Sequence, residues 1–322
     1  MSKILISRTD SLGDVILTLP MAGVIKKFRP ETKIAFLGTS YTQPLIEKSA
    51  YVDEFYDWHE TGLESIRADT IVHVFPQRKI AMSAKKAKTG LRIGTSHRLY
   101  HWWTCNRLVN LGRKNSSLHE AQLNLKLLKP LGIEQDFPLE ALHRFYGWEE
   151  GLLENEKVAS ILNKKKFTLI FHMKSKGSAM EWPLHCYLEL AEQLPEETFQ
   201  ILATGTSEEG KEIADVCPKI FQLDHVEDIT GRLTVKELVL LIQHADGLLG
   251  CSTGPLHIAA AAGIFALGLY PSERPMHAGR WGPIGKKAHF IETPISDRRG
   301  KPTLEDISAS NVKETVLSCL GL

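Results

Sequence analysis

Apolar runs of strand length alternate with helix-spaced segments, and the alternation occurs twice along the chain. Lys3–Ser7, Lys33–Gly38 and residues 70–75 read as strands of a first block, with helical spacing over residues 14–28 and 118–131. The pattern restarts with strands at Phe167–His172, Phe199–Ala203, Gly247–Cys251 and Phe265–Tyr270. Helices are expected between them at residues 184–194, 208–216, 235–244 and 257–263, and a closing helix at 304–320. Such alternation is what parallel sheets covered by helices require. The prediction is an α/β chain of two Rossmann-like doubly wound domains facing an interdomain cleft. Residues 137–166, which carry GWEEGLLENEK and NKKK, supply the expected boundary, giving domains over 1–155 and 156–322. The closing helix is allowed to pack back on the first domain. Pro20 inside the first helical segment predicts a kink or a restart there.

The rest of the composition narrows the class. Lys plus Arg is 39 and Asp plus Glu is 38, so the overall charge points to no special partner. Five scattered cysteines with no C-x-x-C pair favour free thiols over a disulfide framework or a zinc site, and hence a cytoplasmic setting. No signal peptide is visible, and the longest apolar stretch, residues 258–270, falls short of the roughly 20 residues a membrane-spanning helix needs.

In doubly wound folds, ligands bind beyond the carboxyl ends of the strands, and the stretches that carry chemistry follow predicted strands. In SRTDSLGDVILTLP, residues 7–20, Gly13 is suited to a tight turn and Asp14 falls near a helix start. Asp14 is either an N-cap or, if Ser11 takes that role, a carboxylate placed to act as a general base. In GCSTGPLHIAAAAG, residues 250–263, Pro255 suits a first helical position. The N–H groups of Thr253 and Gly254 are expected to meet a diphosphate at the helix start, with His257 donating from one turn in. Neither G-x-G-x-x-G nor a P-loop is present, which argues against a dinucleotide oxidoreductase and a P-loop ATPase. Lys174, Ser175 and Lys176 lie at another strand end and could meet phosphate. Glu208 or Glu209 could hold ribose hydroxyls or only compensate a helix dipole. Residues 78–114 hold ten Lys and Arg, no Asp or Glu, and Tyr100, Trp102 and Trp103. Nucleic acid, an anionic acceptor at a membrane surface, and a simply solvated face are all open for this region.

Taken together, RTDSLGDVILTLP, LHEAQLNLKLL, EWPLHCYLELAEQL, ITGRLTVKELVLLIQHADGLLG and STGPLHIAAAAG resemble glycosyltransferase family 9, the ADP-heptose:lipopolysaccharide heptosyltransferases. The resemblance implies the GT-B architecture and an inverting transfer of heptose or a related sugar from an ADP-sugar to a lipopolysaccharide core acceptor. It implies no cofactor and no metal. Asp14 matches the family's proposed catalytic base. Lys174, Ser175, Lys176, Glu209, Leu233, Ser252, Thr253, Gly254 and His257 fall on the donor side, Glu209 as the ribose acid and Leu233 near the adenine. Arg8, Ser11 and Gly13, with Arg78 and Arg98 from the basic region, are expected to meet the acceptor. The implied partners are a nucleotide sugar and an anionic lipid-linked core oligosaccharide, not nucleic acid, with peripheral contact at the cytoplasmic face of the inner membrane. Two positions depart from the family pattern: Met180 stands where a Lys is frequent, and Ser252 where an Asp is frequent. They leave the donor sugar open, along with the acceptor position and the oligomeric state. The competing readings are a non-catalytic nucleotide or nucleic-acid binder and a sugar-nucleotide epimerase of similar fold.

Overall fold

The computed structural model describes residues 2–113, 116–294 and 303–321. The chain divides into two compact units, Met1–Glu149 and Glu150–Leu322, a few residues before the boundary expected from sequence.

The first unit runs β1 (Lys3–Ser7), α1 (Leu12–Ile16), α2 (Pro20–Phe28), β2 (Lys33–Gly38), α3 (Gln43–Ile46), β3 (Glu54–Asp57), α4 (Leu63–Ile66), β4 (Thr70–His73), α5 (Arg78–Lys86), β5 (Leu91–Thr95), α6 (His101–Thr104), β6 (Arg107–Val109) and α7 (Glu120–Lys126). Its six strands are all parallel, in the order β3-β2-β1-β4-β5-β6. Ile4, Leu5 and Ile6 are buried, as expected for a central strand covered on both faces. The first helical segment does restart: α1 ends at Ile16 and α2 begins at Pro20, whose missing N–H costs nothing at a helix start. The expected helix over 118–131 is shorter. α7 stops at Lys126, and Lys129–Leu131, which contains Pro130, is a separate 3₁₀ turn.

The second unit runs α8 (Glu156–Ile161), β7 (Phe167–His172), α9 (Leu184–Gln193), β8 (Phe199–Ala203), α10 (Ser207–Val216), β9 (Val226–Asp228), α11 (Val235–His244), β10 (Gly247–Cys251), α12 (Gly254–Ala262), β11 (Phe265–Tyr270), α13 (Ala278–Trp281), β12 (Ala288–Glu292) and α14 (Ala309–Leu320). Its sheet is parallel too, ordered β12-β11-β10-β7-β8-β9. Read from the other edge, this is the same winding as the first sheet. In each, the first and fourth strands of the unit lie side by side and the chain winds outward from them in both directions. The closing segment is a 3₁₀ turn at Leu304–Asp306 followed by α14, whose Val312 and Val316 are buried in the second unit's own core. Trp182 fixes this arrangement. Its indole N–H donates to the Ile307 carbonyl at 2.9 Å, and its ring is buried among the same core residues. α14 therefore packs on α9 within the second unit.

Candidate functional site

The switch point of a doubly wound sheet leaves an opening beyond the strand ends where the winding reverses. In the first unit this lies between β1 and β4, and the loop after β1 leads into α1, whose first turn holds Asp14. Ser11 adopts extended backbone and caps α1. Its hydroxyl accepts from the Asp14 N–H at 3.4 Å and donates to Asp14 Oδ2 at 2.6 Å. Because Ser11 takes the cap, Asp14 becomes a carboxylate in the first turn of α1. Gly13 lies within the first turn of α1, not in the preceding turn where the sequence had placed it.

Arg8 is the hub of this site. Its Nη2 pairs with Asp14, its Nε donates to Asp10 Oδ1 at 2.6 Å, and its Nη1 lies 3.9 Å from Glu120 Oε1. The side chain is only 5% exposed, whereas that of Asp14 is 23% exposed. Burial raises the Asp10 pKa, opposed by Arg8 and reinforced by the Asp14 charge. Arg8 is thus a structural cation inside the site as well as an expected acceptor contact. α7 braces it from behind. Glu120, 3% exposed, also pairs with Arg113, and buried Asn124 donates to the Leu17 carbonyl at 3.2 Å and to the Thr18 hydroxyl at 3.3 Å. Thr18 in turn donates to the Asp14 carbonyl. Sequence reading missed Glu120, Asn124 and the inward role of Arg113. The available signal was an acid and an amide, four residues apart, on the apolar face of LHEAQLNLKLL.

Across the same sheet edge, Gln77 donates to the Thr9 hydroxyl at 2.7 Å, tying the loop after β4 to the loop after β1. Arg78 opens α5, and exposed Arg98 follows β5. Arg8, Ser11, Gly13, Asp14, Arg78 and Arg98 therefore share the carboxyl edge of one sheet. Lys114 of the basic region lies outside the described residues.

In the second unit the switch point lies between β7 and β10, and the Trp182 N–H donates to Cys251 Sγ at 3.3 Å, joining the two loops. Here the structure changes several expectations. The Thr253 N–H is taken by the Cys251 carbonyl at 2.7 Å, so it does not face outward. What Thr253 leaves available is its hydroxyl, a buried oxygen with no hydrogen-bond partner at the N-cap of α12. Gly254 begins α12, His257 is buried one turn in, and Ser252 is half-buried beside Tyr270.

Lys174 and Lys176 border an open cavity of about 710 Å³, with Gly177, Glu181, Thr206 and Glu209 among its walls. Lys174 does not present a free charge there. It donates to Glu181 Oε2 at 2.5 Å and Glu212 Oε1 at 2.6 Å, and these bonds raise its pKa although burial works in the opposite direction. Ser175 is likewise turned into the loop, its N–H and hydroxyl both engaging Glu181 Oε1. Lys176 adopts a left-handed backbone with φ of 50° and remains exposed on the rim. Met180 packs against the second unit's core, which explains an apolar residue at that position. Glu209 forms a capping box with Thr206, its Oε2 accepting the Thr206 N–H at 2.7 Å. The competing helix-start role is thus realised through Oε2. Leu233 is half-buried just before the N-cap of α11, in the loop after β9. The loops after β10, β7, β8 and β9 thus lie side by side on one edge of this sheet.

Among the described residues no group of three or more His, Cys, Asp or Glu is arranged to hold a metal ion, and no helix is long and apolar enough to cross a membrane. All five cysteines are free.

Residues 63–306 match the model of glycosyltransferase family 9 (heptosyltransferase). Lipopolysaccharide core heptosyltransferase OpsX of Haemophilus influenzae is 21% identical, over 96% of this chain and 90% of that protein. Lipopolysaccharide heptosyltransferase 3 of Escherichia coli K12 is 22% identical, over 77% of this chain and 76% of that protein. The solved structure of E. coli ADP-heptose lps heptosyltransferase II superposes with a TM-score of 0.76 at 19% identity, covering 99% of this chain and 98% of that one.

Proposed function

Since the chain belongs to glycosyltransferase family 9, the heptosyltransferases, we propose that it moves heptose or a related sugar from an ADP-sugar to a lipopolysaccharide core acceptor, with inversion and without a divalent metal. The names of its relatives support the sugar and the acceptor class. The observation that carries the chemistry is the Arg8–Ser11–Asp14 constellation at the first switch point. A carboxylate held by one buried cation and one hydroxyl keeps lone pairs in reserve, and its partial exposure lets a substrate hydroxyl reach them.

In this reading Asp14 accepts the proton of the acceptor hydroxyl as its oxygen attacks the anomeric carbon. The bond from that carbon to the diphosphate breaks, and its electron pair leaves with ADP. The start of α12, the Thr253 hydroxyl, His257 and Lys176 stabilise the charge that grows on the leaving diphosphate, work a metal performs in other transferases. One such donor is worth about 3 kcal/mol at the barrier. Glu209 Oε1 suits a ribose hydroxyl, and Leu233 suits an adenine face. Arg78 and Arg98 offer charge to an anionic acceptor. A lipid-linked core acceptor suits an enzyme that works at the cytoplasmic face of the inner membrane. The test is a panel of nucleotide sugars against truncated core lipid, read by mass spectrometry. Product with ADP-heptose in excess EDTA supports the reading. Activity that depends on added divalent metal contradicts it. Conversion of donor with no acceptor present would instead mark an epimerase.

A further inference from the structure

Of the large hydrophobic side chains exposed among the described residues, four come from one short stretch: Met82, Leu99, Trp102 and Trp103, respectively 50%, 80%, 63% and 52% exposed. Single exposed apolar residues need no explanation, but a cluster does. Met82 lies on α5, the other three on α6 and the turn before it, and α5 packs against α6. On α5, Arg78, Met82 and Lys85 follow the i, i+4, i+7 spacing that puts them on one stripe. Lys86, about a quarter turn away, points to Glu64 of α4. Arg98 adjoins Leu99 and is exposed. The whole stretch from 78 to 113 lacks Asp and Glu. The Trp102 indole N–H donates to the Ser96 carbonyl at 3.0 Å, so its one polar atom is satisfied within the protein and the ring is held outward.

We propose that this α5–α6 face docks the protein on an anionic lipid bilayer. Tryptophan rings flanked by lysine and arginine suit the headgroup region, where aromatic bodies sit between water and acyl chains and basic side chains meet lipid phosphate. The patch is small, so binding is reversible and weakens with salt. The inference deepens the acceptor reading and takes its biological sense from it. α6 follows the carboxyl end of β5, the same sheet edge that carries Asp14 and Arg78, so docking here brings the acceptor-side loops to the surface where a lipid-linked sugar resides.

The test is co-sedimentation of the full chain with phosphatidylcholine vesicles containing about a quarter phosphatidylglycerol, with pure phosphatidylcholine vesicles in parallel. The wild type is expected to bind the anionic vesicles, with a blue shift of tryptophan emission and loss of binding in high salt. Leu99→Ser/Trp103→Ser and, separately, Lys85→Glu are each expected to weaken binding by at least about tenfold, with unchanged thermal unfolding. Transfer to a delipidated, water-soluble acceptor should be unaffected in both. Vesicle binding equal in wild type and variants overturns the proposal. So does concentration-dependent dimerisation that the apolar variant abolishes, or binding of RNA without binding of vesicles. Loss of transfer to the soluble acceptor in the apolar variant would also overturn it, by assigning these residues to the acceptor site. Vesicle binding by a protein that transfers no sugar would leave the docking face standing and remove the enzymatic reading instead.

Discussion

At the residue scale the site is a problem of placing charge. Arg8 is almost fully buried yet satisfied, because Asp10, Asp14 and Glu120 surround it. Removing one partner of a buried ion pair costs more than the pair contributes, since the other charge stays behind. Glu120→Gln is therefore expected to lower unfolding stability by roughly 2 kcal/mol, measured by urea denaturation. It should also lower kcat while leaving donor affinity intact, because Arg8 then holds Asp14 less firmly; an unchanged kcat would show that Glu120 serves folding alone. A second buried group sets a pH limit. His73 is 1% exposed, neither ring nitrogen has a hydrogen-bond partner, and burial, with the nearby His101, pushes its pKa down to about 3. The unfolded chain takes up this proton near pH 6.5 and the folded chain does not. Its contribution is present in full above about pH 6.5 and erodes as the pH falls toward about 3. At pH 5 the loss is roughly 2 kcal/mol. His73→Leu should flatten this part of the stability profile between pH 8 and 5, and an unaltered profile would contradict the assignment. Asp14 could be singled out from its place after a strand and beside a serine. The buried network around it could not: the helical spacing of Glu120 and Asn124 marks them as inward-facing, but nothing in the sequence ties that face, or Arg113, to Arg8 more than a hundred residues away.

At the element scale, the central strands were legible and the outer ones were not. β1, β2, β4, β7, β8, β10 and β11 are apolar runs covered on both faces, and continuous hydrophobicity announces them. β3, β6, β9 and β12 are edge or near-edge strands with half-buried or exposed positions, and β5 sits within a basic stretch, so none carries a distinct pattern. Helix ends were legible where proline intervened, as at Pro20, and were missed where a cap divided one apolar pattern, as at Ser308 before α14. Helix contacts were not legible at all. Gly23 on α2 lies so close to the Phe145 carbonyl and Cα that no Cβ fits between them. Since the obstacle is backbone, Gly23→Ala should destabilise the first unit by about 1–3 kcal/mol, seen as a lower midpoint in urea. A neutral substitution would mean that α2 and the 3₁₀ segment Leu139–Phe145 are less firmly packed than the structure shows.

At the scale of the whole molecule, the same winding is used twice, and in the proposed function each copy presents its switch-point loops to a different substrate class. Two sheets and their approximate boundary could be read from the sequence because the β/α pattern stops and restarts. The division of labour rests on the first copy carrying arginines and a carboxylate, and the second a helix start, a rim lysine and ribose-type acids. This division predicts separable phenotypes. Lys176→Ala should raise the donor KM and lower kcat together, whereas Arg98→Ala should raise the acceptor KM alone, both from steady-state transfer assays with each substrate varied. Parallel loss of both affinities in either variant would refute the separation. The assignment of Asp14 as the base is tested most directly by Asp14→Asn, with turnover and calorimetric donor affinity measured on the same preparation. Folded protein that binds ADP-sugar as the wild type does, but turns over roughly a thousandfold more slowly, is the expected result. Turnover close to wild type would contradict it.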